Sequence, residues 1–129
     1  IRAHGGAALF IDYGHFFSGF GETLQAVKKH QFTDPLQAPG QADLTAPVNF
    51  GALQKVVART GLKAQLTNQG DFLLAMGIVE RAGKLGQALD PAAREKIRHD
   101  VERLAAPEKM GKLFKLMAIN RSDMTPHGF

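Results

Sequence analysis

The chain has 129 residues, the size of one ordinary domain, and 44% of them are apolar, enough to bury a core and too many for a disordered segment. It contains no cysteine, which excludes disulfides, thiolate zinc sites and cysteine nucleophiles. Sixteen basic side chains stand against twelve acidic ones, and they are scattered. Lys28-Lys29-His30 is the single short basic run, so a nucleic-acid partner is not expected.

The chain opens on Ile1 and goes through His4-Gly5-Gly6 directly into an apolar run from Ala7 to Ile11, an opening expected of a piece of a longer chain. The run is far too short to span a bilayer, and no membrane partner is expected. An apolar run without polar alternation suits a strand covered on both faces in an α/β sheet. It ends in Asp12-Tyr13-Gly14-His15, polar residues and a glycine where open α/β sheets place their ligand crevices.

From Phe16 to Pro47 the spacing of Gly19, Gly21, Pro35, Pro39, Gly40 and Pro47 disfavours a long helix, and Thr23 to Val27 and Gln31 to Thr33 read as short strands. Asn49 then offers a cap to a helix carrying Leu53, Val56, Val57 and Thr60 at helical spacing, with Gly61 as its stop. Leu62 to Thr67 reads as a short strand. Asp71 to about Leu89 reads as a helical segment with Phe72, Met76 and Val79 on one stripe, and Gly77 and Gly83 as weak points. Asp90 and Pro91 open a further helix along Ala93, Ile97, Val101 and Leu104, which Pro107 ends. Lys112 to Ile119 reads as a terminal strand, and Ser122 to Phe129 as a loose tail after a domain portion of residues 1–121.

Strand, helix and strand in this order predict a right-handed parallel crossover, with the last strand entering the same sheet antiparallel. Such a half-sheet leaves one edge of the first strand unpaired, and something must cover it. No G-x-G-x-x-G loop is present, so any cofactor loop is expected upstream of Ile1.

Asp12 and His15 are candidate acid, base or substrate anchors, since a carboxylate and an imidazole three residues apart in a turn can face one crevice. The structural alternative is that Asp12 caps the turn and His15 lies on the surface. Asp43, Thr45 and Asn49 form a second polar cluster around Leu44, although Asp and Asn are also ordinary turn and cap residues. Phe72, Met76, Phe114 and Met117 read as core. His30, His99 and His127 lack ligand spacing, and no metal site is expected.

The segments Gly5-Gly6-Ala7-Ala8-Leu9-Phe10-Ile11-Asp12-Tyr13-Gly14-His15, Asp34-Pro35-Leu36 and Pro39-Gly40-Gln41-Ala42-Asp43-Leu44-Thr45-Ala46 resemble the MidA family of methyltransferases. Thr67-Asn68-Gln69-Gly70-Asp71-Phe72-Leu73, Met76-Gly77-Ile78 and Pro107-Glu108-Lys109-Met110-Gly111-Lys112-Leu113-Phe114 match its pattern in the same order, so the resemblance runs from about His4 to Ala118. It implies the C-terminal portion of a class I, Rossmann-like, seven-stranded α/β sheet. Ala7 to Ile11 would be the fifth strand, Lys63 to Thr67 the sixth, and Lys112 to Ile119 the antiparallel seventh, lying between them. It also implies methyl transfer from S-adenosyl-L-methionine, bound mainly by an N-terminal part absent here, to a protein arginine, with a subunit of respiratory complex I as acceptor in the family's mitochondrial assembly member.

Under this resemblance Asp12, His15 and Asp43 are the expected catalytic residues, and Tyr13, Gly14 and Thr45 the expected substrate contacts. The expected partners are the N-terminal half of the same protein and a protein substrate, with a homodimer left open. The expected compartment is the bacterial cytoplasm or the mitochondrial matrix. In Leu44-Thr45-Ala46-Pro47-Val48-Asn49-Phe50 this sequence carries Pro47 and Asn49 where many relatives have His or Asp and then Asp. The alternative function is a non-catalytic assembly or binding protein that retains the methyltransferase fold.

Overall fold

The structure is a computed structural model that describes residues 1–17, 19, 23–37, 39–121 and 124–129. Gly21, in the loop after the first strand, and Ser122, at which the tail begins, lie outside the described residues. A mixed sheet is built from β1 (Ala8–His15), β5 (Val48–Asn49), β6 (Lys63–Asn68) and β7 (Phe114–Asn120), in the order β5-β1-β7-β6. β7 runs antiparallel to both β1 and β6, which makes those two parallel to each other, as the crossover rule and the resemblance both require.

β7 is the centre of the sheet, and its residues 116–120 are all buried. Cross-strand pairing puts Phe10, Met117 and Leu66 on one face, and Ala8, Ile119 and Ala64 beside them. There they meet α1 (Phe50–Ala58), whose Phe50 is 1% exposed and forms the core with Met117 and Ile119. Asn49 caps α1 by accepting from the Ala52 N–H at 2.9 Å. A cap of this kind is worth about 1 kcal/mol.

The other face carries Leu9, Leu116 and Ala118 and is approached by Phe72 of α2 (Gln69–Ala75), whose stripe continues into α3 (Ile78–Gly86) and packs beside α4 (Pro91–Ala105). The helical segment from Asp71 to Leu89 is thus two helices. Gly77 divides them at φ 78°, a left-handed conformation that favours glycine over any residue with a Cβ. Asp90 caps α4 through the Ala93 N–H, with Pro91 at its first position as the sequence predicts.

Two expectations change. The apolar run is not covered on both sides: Leu9, Phe10 and Ile11 are 50%, 49% and 52% exposed. Only residues 14 and 15 of β1 meet β5, so the β1 edge opposite β7 is open from residue 8 to residue 13 among the described residues. Residues 124–129 are also not loose. Phe129 packs on Phe72 with ring centroids 5.5 Å apart, His127 Nε2 lies 3.1 Å from the Ala75 carbonyl oxygen, and Asn120 donates to the Met124 carbonyl at 2.8 Å. An aromatic residue at the end of the chain has apolar surface to bury, and α2 offers a matching ring.

Between β1 and α1 the chain makes a separate three-stranded antiparallel sheet, β3-β2-β4, from β2 (Gln25–Lys28), β3 (Gln31–Thr33) and β4 (Asp43–Thr45). It rises from the carboxyl end of β1 and returns there through β5.

Candidate functional site

The carboxyl end of β1 is extended strand through His15, where the sequence suggests a turn at Asp12. Pairing explains the difference: Asp12 and Tyr13 are held by Lys115 and Phe114 of β7, and Gly14 and His15 by Val48 and Asn49 of β5. In a strand, side chains alternate between faces. Asp12 and Gly14 therefore face α1, while Tyr13 and His15 face the opposite side. Asp12 and His15 do not converge on one crevice from a shared turn, since residues an odd number apart in a strand cannot share a face.

Asp12 is exposed, and its Oδ1 accepts from the Tyr13 N–H at 2.8 Å. Tyr13 is half-buried and stands edge-on to Phe114 at 6.2 Å. His15 is half-buried, and its buried Nδ1 has no hydrogen-bond partner among the described residues. Gly14 is placed by close packing, because a Cβ there would collide with the Val48 carbonyl oxygen and press on the Phe50 ring.

Asp43 and Thr45 lie on β4 of the small sheet, opposite Val27 and Gln25 of β2. Asp43 is exposed and Thr45 half-buried. They belong to a different sheet from Asp12, and the link between the two groups is the short stretch from Thr45 to Val48, which joins β1 beside Gly14.

The structure also brings in residues that sequence reading did not single out. Lys115 of β7 sits between Asp12 of β1 and Asn68 of β6 in one cross-strand row at the carboxyl ends of the two parallel strands. Its Nζ donates to Asn68 Oδ1 at 3.1 Å and to the Lys112 carbonyl, and lies 5.0 Å from the centre of the Phe16 ring. Asn68 in turn donates to Asp71 Oδ2 at 2.8 Å. Burial lowers the Lys115 pKa, helped by the nearby Lys112 charge, and Asp71 opposes the shift. The sequence signal for this group was a lysine inside an otherwise apolar terminal strand.

Among the described residues, no group of three or more His, Asp and Glu could hold a metal ion, and no helix is long and apolar enough to cross a membrane.

Three comparisons bear on this arrangement. A family profile described as "Putative S-adenosyl-L-methionine-dependent methyltransferase" matches residues 1–67. The chain is similar to the mitochondrial protein arginine methyltransferase NDUFAF7 of Danio rerio, 40% identical over 119 residues, which are 92% of this chain and 28% of that protein. It is also similar to the mitochondrial NDUFAF7 homologue of Drosophila melanogaster, 36% identical over 129 residues, covering 98% of this chain and 29% of that one. The chain thus spans less than a third of the length of the curated relatives it matches. A native crystal structure of an uncharacterized protein from Burkholderia thailandensis superposes with a TM-score of 0.82 at 29% identity, over 97% of this chain and 35% of that one. A member of the same superfamily from that organism, bound to S-adenosyl-homocysteine, superposes with a TM-score of 0.76 at 30% identity, over 95% of this chain and 34% of that one.

Proposed function

Because the chain belongs to the S-adenosyl-L-methionine-dependent methyltransferase family matched over residues 1–67, we propose that it works as the C-terminal part of such an enzyme and presents a protein arginine to the methyl donor. The sheet order β1-β7-β6 with an antiparallel β7 is the C-terminal portion of the family's sheet. S-adenosyl-L-methionine, the family's cofactor, supplies an electrophilic methyl group on sulfur. The described residues supply no cradle for it. Gly14 is occupied by packing, and Gly5 and Gly6 precede β1 with no other group of the described residues within 4 Å of their Cβ positions. Holding the donor is therefore assigned to the rest of the protein, whose natural seat is the open edge of β1.

This chain's own contribution is to orient the acceptor. Methyl transfer by inversion depends on alignment, and a carboxylate orients a guanidinium through paired hydrogen bonds. The observation that carries the reading is Asp12: an exposed carboxylate at the carboxyl end of a parallel strand, beside an open sheet edge, bound among the described residues to the neighbouring Tyr13 N–H alone. Asp43 is the second carboxylate, and Thr45 lies with it on β4. Tyr13, the Gly14 backbone and His15 form the strand end behind Asp12. The naming of the relatives supports a protein arginine as acceptor, with a subunit of respiratory complex I proposed through the resemblance, and a mitochondrial setting, the matrix.

The test is methylation of an arginine-containing protein or peptide by the full-length protein. Asp12→Asn, nearly isosteric, is expected to lower kcat/KM for the acceptor by about 10²-fold, the scale of one lost charge-assisted anchor. A wild-type rate would make Asp12 a backbone-capping residue only.

A further inference from the structure

The row Asp12, Lys115, Asn68 contains an unexpected choice of partner. Side chains directly opposed on an antiparallel pair have Cβ atoms about 4.5–5.5 Å apart, and opposite charges so placed normally pair. Lys115 is flanked in this way by a carboxylate on one strand and a neutral amide on the other. It takes the amide. Its ammonium bonds Asn68 Oδ1 and the Lys112 carbonyl and lies over the Phe16 ring, while no ion pair within 4.0 Å joins it to Asp12 among the described residues.

The amide is held in the orientation this requires. Asn68 Nδ2 donates to the Asp71 carboxylate, which leaves Oδ1 to receive the ammonium and sets a negative charge behind it. Asp71 also favours the charged form of Lys115 against the effect of burial. Asp71, Asn68 and Lys115 form a short polar chain that leads the cation away from β1.

We propose that Asn68, braced by Asp71, is a positioning residue that parks the Lys115 ammonium away from Asp12 and so keeps the Asp12 carboxylate open to a cationic acceptor. This rests on the anchoring role given to Asp12 above. Without the parking, Lys115 is a built-in competitor, since an intramolecular ammonium one strand away occupies the carboxylate before a guanidinium arrives.

The experiment uses the full-length protein with an arginine-containing acceptor peptide. Asn68→Ala should raise the acceptor KM about threefold to fivefold, the value of a partly exposed ion pair gained by the free enzyme, with kcat unchanged. Adding Lys115→Met to Asn68→Ala should return the KM to within about twofold of wild type, because the competitor is gone. Asp71→Ala, which keeps the amide but removes its brace, should move KM in the same direction, and serves if Asn68→Ala does not fold. An unmoved KM in both variants, or a defect that persists after Lys115→Met, overturns the proposal.

A second readout needs no acceptor. A crystal structure of Asn68→Ala should show the Lys115 ammonium within 4.0 Å of the Asp12 carboxylate, a contact that the wild-type structure lacks. Absence of that contact overturns the parking alone. The contact with an unmoved KM overturns the anchoring role of Asp12 and this proposal with it.

Discussion

Gly14 lies so close to the Val48 carbonyl oxygen that one added carbon would overlap it, and the same carbon would come within 3.0 Å of the Phe50 ring. The joint between β1 and the two-residue β5 is therefore built on a missing side chain. Gly14→Ala should destabilise the protein by about 1–3 kcal/mol, the range for overpacking against fixed atoms. Denaturant unfolding will show this as a lower midpoint with an unchanged slope. A neutral effect would mean that β5 moves freely against β1.

The helix caps give a smaller and separable effect. Asp90 accepts from the Ala93 N–H at 2.9 Å and Asn49 from the Ala52 N–H at 2.9 Å. Asp90→Ala and Asn49→Ala should each cost about 1 kcal/mol of stability. The two caps serve different helices, so the double variant should show their sum in the same unfolding measurement.

Phe129 anchors the end of the chain on Phe72. Phe129→Ala should destabilise by about 1–2 kcal/mol, less than a core phenylalanine because the site is only half-buried. Hydrogen exchange should become faster in α2, whose Ala75 carbonyl meets His127. Unchanged exchange there would show that the docking contributes nothing.

Lys115 gives a pH-dependent signature. Its pKa in the folded protein lies below the ordinary lysine value of 10.5, chiefly through burial. Between the lowered folded value and the unfolded value, the unfolded chain binds more protons, so stability rises with pH across that alkaline window. Below it, the charged form is disfavoured in the folded state, and the penalty is fully present at neutral pH. Lys115→Met should remove this rise, which thermal unfolding at a series of alkaline pH values will detect. A rise of equal size in wild type and variant would assign it to another group.

Asp43 allows a test of whether the small sheet serves the acceptor. Asp43→Asn should raise the acceptor KM while leaving the KM for S-adenosyl-L-methionine unchanged, since its strand belongs to the small sheet and the β1 edge is left intact. A change in the cofactor KM instead would place the small sheet against the donor.

What the sequence determined by itself was local. Asn49, and Asp90 with Pro91, announce their helices because a cap is a hydrogen bond between neighbours in the chain. The apolar run at β1 and the order of elements are equally local, and the matched motifs carried the placement of β7. What only the tertiary structure decided was direction. Whether Asp12 and His15 share a face depends on β1 continuing as strand, and that is enforced by distant partners, Phe114 and Lys115 on one side, Val48 and Asn49 on the other. The choice of Asn68 over Asp12 by Lys115, and the seat of Phe129 on Phe72, bring together residues dozens of positions apart. No local rule ranks such contacts, because side chains remote in the chain become neighbours only after the backbone has paired.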